Sequence, residues 1–166
     1  ILGDLQVLGD ALRRANTDLV ELGGSFVRLI RQLETFELSL AALDIRQHSE
    51  IHGAAVAELL AAAGVIESPG RYLEADEPSR QELLEAELLN PRPLVGPSWT
   101  GSAGTEECRD LFRVIERAHR VFGPDCIRCY IVSMTHAPSD LLEPMLLAKD
   151  AGLMDYANGK PQGRLD

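Results

Sequence analysis

Two short apolar runs, about 80 residues apart, constrain the fold of this chain more than any other feature. LSLAALDIR begins at Leu38, and IRCYIVS spans residues 127–133. Each run is short, apolar and followed by a segment with helical spacing, which favours buried strands. Most of the remaining chain has the periodicity of amphipathic helices. The sequence therefore predicts a mainly α fold with two short buried β-strands.

Six helical segments are predicted around these strands, with loops between them. The predicted helices span residues 3–15, 25–35, 49–64, 78–89, 105–122 and 139–151. Ser25 and Ser49 are candidate N-caps, because a serine hydroxyl can accept a hydrogen bond from the first turn. Residues 155–166 lack periodicity and are predicted to form a mobile tail. Because the strands are so far apart in sequence, their sheet partners are expected outside the chain. We interpret residues 1–166 as a single segment of a helix-rich α/β barrel.

Charge and hydropathy exclude two classes of partner. The formal net charge is -10 at pH 7, which opposes binding to the phosphate backbone of nucleic acid. No apolar run approaches the roughly 20 residues that cross a bilayer. Three cysteines and no secretory signal indicate reduced thiols in a cytoplasm-like compartment. The sequence starts without Met and inside a helical pattern, so we expect a piece of a longer protein.

The strand ends hold the residues most suited to chemistry. In strand–helix units, functional groups cluster at the carboxyl end of the strand. This rule selects Asp44, Arg46, Gln47 and His48 after the first strand and residues 134–136 after the second. Arg46 is the leading candidate, because a guanidinium offers a planar fork of donors to phosphate or carboxylate. The N-terminus of the next helix also favours an anion. The alternative is a structural ion pair between Asp44 and Arg46 on one strand face.

Two patterns have part of a metal-site spacing but lack a full ligand set. His48 and His52 are four residues apart, yet Glu50 does not follow the first histidine directly, as the zinc-protease pattern requires. Cys126 and Cys129 have CxxC spacing without a second pair. We therefore predict no metal site in this chain. The histidines are expected to be solvated or bound to a partner, and Cys129 to be a small buried residue.

Arg92 is a further candidate for binding an anion. It lies between Pro91 and Pro93, so the surrounding loop has limited backbone freedom. A stiff loop of this kind can present an arginine to an anion, or it can dock on another part of a larger fold. Spacing alone leaves both interpretations open.

Three stretches of the sequence resemble the phosphoenolpyruvate carboxylase family, in the family's order and approximate spacing. LETFELSLAALDIRQHSEIHGAAVAELL resembles the segment around the family's substrate-binding DIRQ strand. LLEAELLNPRPL resembles the helix and Arg-Pro-Leu loop that follow. FRVIERAHRVFGPDCIRCYIVSMTHAPSDLLEPMLLAKDAGL resembles the next barrel strand and helix. The resemblance covers about residues 25–154.

The resemblance implies part of a helix-rich (β/α)8, TIM-like barrel from an enzyme that converts phosphoenolpyruvate and bicarbonate into oxaloacetate and phosphate. It implies that Arg46 is a catalytic arginine that binds phosphoenolpyruvate and that Arg92 is a supporting catalytic arginine. Asp44 and Gln47 would order the strand end. The family uses Mg or Mn, and the parent is expected to be a cytoplasmic, allosteric homotetramer. The metal carboxylates, the catalytic His and the other phosphate-binding arginines are expected beyond Asp166, so the chain alone is expected to be inactive.

Two departures from the family pattern suggest a divergent member. Residues 37–39 differ from the usual glycine, aromatic or leucine, and histidine after ETF. Pro144 falls within the last predicted helix, where an interior proline predicts a kink. An alternative function is a non-catalytic helical interaction module derived from a carboxylase. A small zinc-binding helical protein is disfavoured by the ligand spacing.

Overall fold

The structure is a computed structural model in which the chain divides into two compact units, Ile1–Ala42 and Leu43–Asp166. It describes residues 2–14, 24–36, 42–157 and 160–165. In the first unit, helix α1 (Leu2–Arg14) packs against helix α2 (Ser25–Phe36). The interpretation of the whole chain as a single segment stays a prediction.

The second unit contains the strands and the remaining helices. In chain order its elements are β1 (Leu43–His48), α3 (Ser49–Ala62), α4 (Pro69–Leu73), α5 (Glu77–Leu89), α6 (Ala103–Phe122), β2 (Ile127–Ser133), α7 (Ser139–Asp150), β3 (Met154–Ala157) and β4 (Lys160–Gly163). The predicted mainly helical fold with short strands is confirmed. The described residues contain four strands rather than the two predicted, and the prediction that those two are buried is wrong, because β1 has no buried residue and β2 has one, Ile127. Leu38 and Leu40, which we predicted at the start of the first strand, lie outside the described residues.

Strands β1 and β2 pair with each other in parallel. The expectation that the sheet partners of both strands lie outside the chain is therefore wrong for this pair. The register places Arg46 opposite Ile131 and His48 opposite Ser133. Because parallel strands run in the same direction, their carboxyl ends meet at one edge of the sheet. The helices between the two strands supply the long crossover that a parallel pair needs.

The hydrophobic core of the second unit is built around α3. This helix has apolar residues on most of its faces, which is typical of a buried helix, and it packs against α4, α6 and α7. Ile45 of β1 packs against the same core. The largest fully buried apolar side chains are Val56, Leu59, Leu60, Tyr72, Leu84, Phe112, Ile115, Leu146, Leu147 and Leu153. The core therefore covers one face of the β1–β2 pair with helices.

Two segments that we predicted to lack regular structure contain it. Helix α4 lies within the predicted loop 65–76 and has Pro69 in its first turn, where a missing N–H costs no hydrogen bond. Strands β3 and β4 form an antiparallel pair within the predicted mobile tail. Tyr156 fixes this pair to α5 by donating its hydroxyl to the Leu88 carbonyl at 2.8 Å. The prediction that the tail 155–166 lacks regular structure is thus wrong for the residues of β3 and β4, while the mobility of the tail stays a prediction.

Helix boundaries differ from the predicted ones where capping differs. Helix α6 begins two residues earlier than predicted, because the Ser102 hydroxyl caps it by accepting from the Thr105 amide at 3.3 Å. Helix α7 includes Pro144 in its interior and buries it. The kink predicted at this proline stays a prediction.

Candidate functional site

Arg46 is exposed on the face of β1 that lies away from the core. Its predecessor Ile45 packs against the core, and successive strand residues point to opposite faces. Asp44 and Arg46 therefore share the other face, and both are exposed. The described residues show no ion pair between them. Arg46 thus presents its guanidinium at the strand surface, where an anionic ligand can reach it.

The first turn of α3 is capped by His48. Its Nδ1 atom accepts a hydrogen bond from the Glu50 amide at 3.3 Å, so the prediction of Ser49 as the N-cap is wrong. The amino end of this 14-residue helix lies directly after β1. Its dipole therefore favours negative charge close to Arg46.

Two serine hydroxyls join the carboxyl ends of β1 and β2. Ser49 Oγ donates to the Met134 carbonyl at 2.8 Å, and Ser133 Oγ donates to the Gln47 carbonyl at 3.1 Å. The Gln47 side chain accepts from the His48 amide at 3.0 Å. Its part in ordering the strand end stays a prediction. The connection after β2 is therefore held beside the end of β1.

The amide donors that precede α7 are already used within the chain. The Asp140 carboxylate accepts from the His136 amide at 2.6 Å and from the Ala137 amide at 3.1 Å. A carboxylate at this position repels a second anion. Of these two helix starts, that of α3 is the one that lies next to Arg46.

The structure places Arg92 apart from the strand ends. Its guanidinium lies 3.7 Å from Glu87 Oε1, and Lys149 donates to the Glu87 carbonyl. Arg92 therefore lies near the C-terminal ends of α5 and α7, whereas β2 leads into the N-terminus of α7 at Ser139. Ten residues of helix separate Ser139 from Lys149, which corresponds to about 15 Å. No contact brings Arg92 to Arg46 within the described parts of the chain, and its supporting role stays a prediction.

Below the strand ends lie two buried polar pairs that the sequence analysis missed. His52 is fully buried and its Nε2 atom lies 2.7 Å from the Tyr130 hydroxyl, so the expectation of a solvated histidine is wrong. Burial lowers the pKa of His52 to about 4. Glu143 accepts from the Tyr72 hydroxyl at 2.9 Å, and burial raises its pKa to about 7. The burial of Glu143 could have been predicted from helical spacing. Glu143 lies four residues before Leu147, on the stripe of α7 that faces the core.

The described residues do not by themselves fit a metal site. No group of three or more His, Cys, Asp or Glu lies close enough together in the described ranges to hold an ion. Mg and Mn take several oxygen ligands. Cys126 and Cys129 are free thiols that are partly buried. None of the helices that the structure describes is both long enough and apolar enough to cross a membrane.

Comparison with known proteins identifies the family. The family profile described as "Phosphoenolpyruvate carboxylase" matches residues 1–165. The phosphoenolpyruvate carboxylase of Rhodothermus marinus is 43% identical over 161 residues, which are 97% of this chain and 17% of that protein. That of Roseiflexus castenholzii (strain DSM 13941 / HLO8) is 46% identical over 153 residues, 92% of this chain and 16% of that protein. The chain belongs to the phosphoenolpyruvate carboxylase family, and it spans less than a fifth of the length of these relatives.

Proposed function

We propose that this chain is part of a phosphoenolpyruvate carboxylase and that Arg46 binds the phosphate of the substrate. The observation that carries the proposal is the position of Arg46. It is exposed at the carboxyl half of a parallel strand, beside the amino end of α3, in a member of this family. The reaction of the whole protein would form oxaloacetate and phosphate from phosphoenolpyruvate and bicarbonate.

The proposed role of Arg46 is electrostatic. Bicarbonate attack moves negative charge on the phosphate, and a fixed guanidinium stabilises that charge without reorganising. An interaction that is stronger in the transition state than in the bound substrate raises kcat. The fork of N–H donors also fixes the orientation of the phosphate. Asp44 and Gln47 would act by ordering the strand end.

We further propose that β1 and β2 are strands of a (β/α)8 barrel. The parallel pair, with a helix after each strand, is the arrangement such a barrel repeats. The divalent cation that the family resemblance implies, Mg or Mn, would take its ligands from residues other than those described. A cytoplasmic, allosteric homotetramer is the assembly that the resemblance implies for the whole protein.

The proposal is tested by replacing Arg46 with alanine in the full-length protein. Loss of the charge-assisted contact, worth about 1.5–3 kcal/mol, should raise KM and lower kcat. That free energy corresponds to a fall in kcat/KM of roughly 10- to 10²-fold. Arg46→Lys should restore little, because a point charge does not reproduce the fork. The steady-state rate of oxaloacetate formation and the melting temperature are measured on the same preparation.

Arg120→Ala is the matched control. Arg120 is an exposed arginine near the C-terminus of α6, which leads toward the amino end of β2. Its replacement should leave kcat/KM unchanged.

An Arg46→Ala variant with normal kcat/KM, or with only a lower melting temperature, would contradict the proposal that Arg46 binds the phosphate. Arg92→Ala in the same assay tests the supporting role of Arg92. A full-length protein without carboxylase activity would favour the helical interaction module.

A further inference from the structure

Ser49 uses its hydroxyl outside its own helix. It is the first residue of α3 and is 4% exposed, and His48 already caps the helix. The Ser49 hydroxyl donates instead to the Met134 carbonyl at 2.8 Å, across 85 residues of sequence. This hydrogen bond ties the helix after β1 to the turn after β2.

Met134 has a backbone conformation that needs such support. Its φ angle is 57°, in the left-handed region that L-residues disfavour. It is the single non-glycine residue with positive φ in the part of the chain that the structure describes. Met134 is 59% exposed, so packing of its side chain does not hold the backbone. A non-glycine residue keeps this conformation where its surroundings over-determine it, often at functional sites.

A second hydrogen bond supports the same junction from the opposite direction. Ser133 Oγ donates to the Gln47 carbonyl at 3.1 Å, and the register pairs His48 with Ser133. The turn of residues 134–136 therefore starts level with the end of β1. Arg46 lies two residues before that end. The two hydrogen bonds bring this turn and the arginine to one edge of the sheet.

We infer that Ser49 is a positioning residue for the anion site of Arg46. By holding the Met134 carbonyl, Ser49 fixes the turn 134–136 as the second wall of that site. Ser49 itself does not contact the substrate. The inference rests on the proposed function, since it assigns to Ser49 a role in the site where Arg46 binds phosphate. Loss of the hydroxyl lets Met134 relax toward common φ values, and the turn then shifts relative to Arg46.

The test is Ser49→Ala in the full-length carboxylase. We expect kcat to fall about tenfold, as displacements near 1 Å in an active site cause losses of this order or larger, with a smaller change in KM. Ser49→Thr keeps a hydroxyl and should recover kcat to within about threefold. Equal activity of the Thr and Ala variants at equal melting temperature would overturn the inference.

Tyr130→Phe is the matched control, because it removes a hydrogen bond between the same two elements. The Tyr130 hydroxyl of β2 lies 2.7 Å from His52 Nε2 of α3, on the core side of the sheet. Its loss should lower the melting temperature and leave kcat unchanged. Ser49→Ala with kcat within twofold of the parent, or no lower than that of Tyr130→Phe, would also overturn the inference.

Two further variants separate the possible failures. If Ser49→Ala does not fold, Ser133→Ala removes the other hydrogen bond from an exposed position. It should lower kcat about threefold, and an unchanged kcat would then count against Ser49. Arg46→Ala reports on the proposed function separately. If Arg46→Ala loses activity while Ser49→Ala behaves as Tyr130→Phe does, the proposed function stands and the positioning role fails.

Discussion

At the scale of single residues, Glu143 is the most unusual group in the core. Glu143 is 1% exposed, and its carboxyl accepts from the Tyr72 hydroxyl at 2.9 Å. A Cβ on Gly53 would lie 3.2 Å from Glu143 Oε1, so glycine lets the carboxyl approach α3 closely. Burial raises the pKa of Glu143 to about 7, and Asp140 and Glu77 add to the rise while Arg80 and the Tyr72 hydrogen bond oppose it. Glu143 is therefore largely protonated in the folded protein below neutral pH.

The raised pKa makes the stability of the chain depend on pH. The folded state binds a proton at Glu143 up to about pH 7, whereas the unfolded state releases it above about pH 4.5. The contribution of Glu143 to folding free energy is thus fully present below the unfolded pKa and is lost as pH rises toward 7. Each pH unit in that window corresponds to about 1.4 kcal/mol at most. At pH 8 we expect the Glu143→Gln variant to be more stable than the unsubstituted 166-residue chain, because a glutamine side chain needs no proton to be neutral.

Urea unfolding of the 166-residue chain at pH 5 and pH 8 measures this difference. His52 has the opposite dependence, because its lowered pKa makes folding less favourable as pH falls from 6.5 toward 4. His52 is present in both chains, so its contribution cancels when Glu143→Gln is compared with the unsubstituted chain at each pH. The exposed Glu85→Gln on α5 is the control and should show no such gain. An equal difference between Glu143→Gln and the parent at both pH values would contradict the prediction.

Single residues also show what the sequence could predict of the site. Arg46 was selected as a candidate from its place after an apolar run and before a helix, because the strand-end rule needs only chain order, and its role stays a prediction. Ser49 was predicted as the N-cap of α3, but His48 caps the helix, since a serine and a histidine beside a helix start can both accept the capping hydrogen bond. Ser49 instead donates its hydroxyl to the carbonyl of Met134, which is 85 residues away in the sequence. Contacts between distant residues of this kind are not encoded in local spacing.

At the scale of elements, α6 depends on its cap. Ser102 accepts from the Thr105 amide at 3.3 Å, and the Ser102 amide donates to Glu58 Oε2 at 2.9 Å. The side chain thus satisfies one of the first-turn donors that lack a partner within the helix. The backbone bond to Glu58 ties the start of α6 to α3 and does not require the hydroxyl.

Ser102→Ala should therefore lower the free energy of unfolding by about 1 kcal/mol, the usual cost of losing a serine cap. Urea unfolding monitored by circular dichroism measures it. Ser98→Ala changes an exposed serine of the same loop that caps no helix, and it should change stability by less than about 0.5 kcal/mol. Equal effects of the two substitutions would show that the Ser102 hydroxyl does not cap α6.

The elements were predicted best where a local pattern is unambiguous. Strand β2 has the predicted bounds, Ile127–Ser133, because β-branched and aromatic residues follow a helix stop at Gly123-Pro124. Two signals were missed: Pro69 suits the first turn of α4, and the dipeptide Asn158-Gly159 between β3 and β4 is a hairpin signal. The parallel pairing of β1 with β2 was missed for a different reason. Strand pairing across some 80 residues depends on helix packing, which sequence periodicity does not report.

At the scale of the whole molecule, the β1–β2 pair is covered on one side. Helices pack on the face that carries Ile45, while Asp44 and Arg46 are exposed on the other. Parallel sheets are usually covered on both faces. The chain spans 17% of the length of the Rhodothermus marinus relative. These observations support the proposal that further strands of a barrel complete the sheet in the whole protein.

The last prediction concerns the 166-residue chain by itself. We expect it to form no oxaloacetate from phosphoenolpyruvate and bicarbonate in the presence of Mg. The family resemblance implies a divalent cation, and the described residues contain no group of three ligands that could hold one. One arginine can bind a phosphate, but a cation supplies the further charge stabilisation that such transfers require. Oxaloacetate is measured by coupling to malate dehydrogenase, with the full-length protein as the positive control. Turnover that scales with the amount of purified chain, and that Arg46→Ala abolishes, would show that these 166 residues suffice for catalysis.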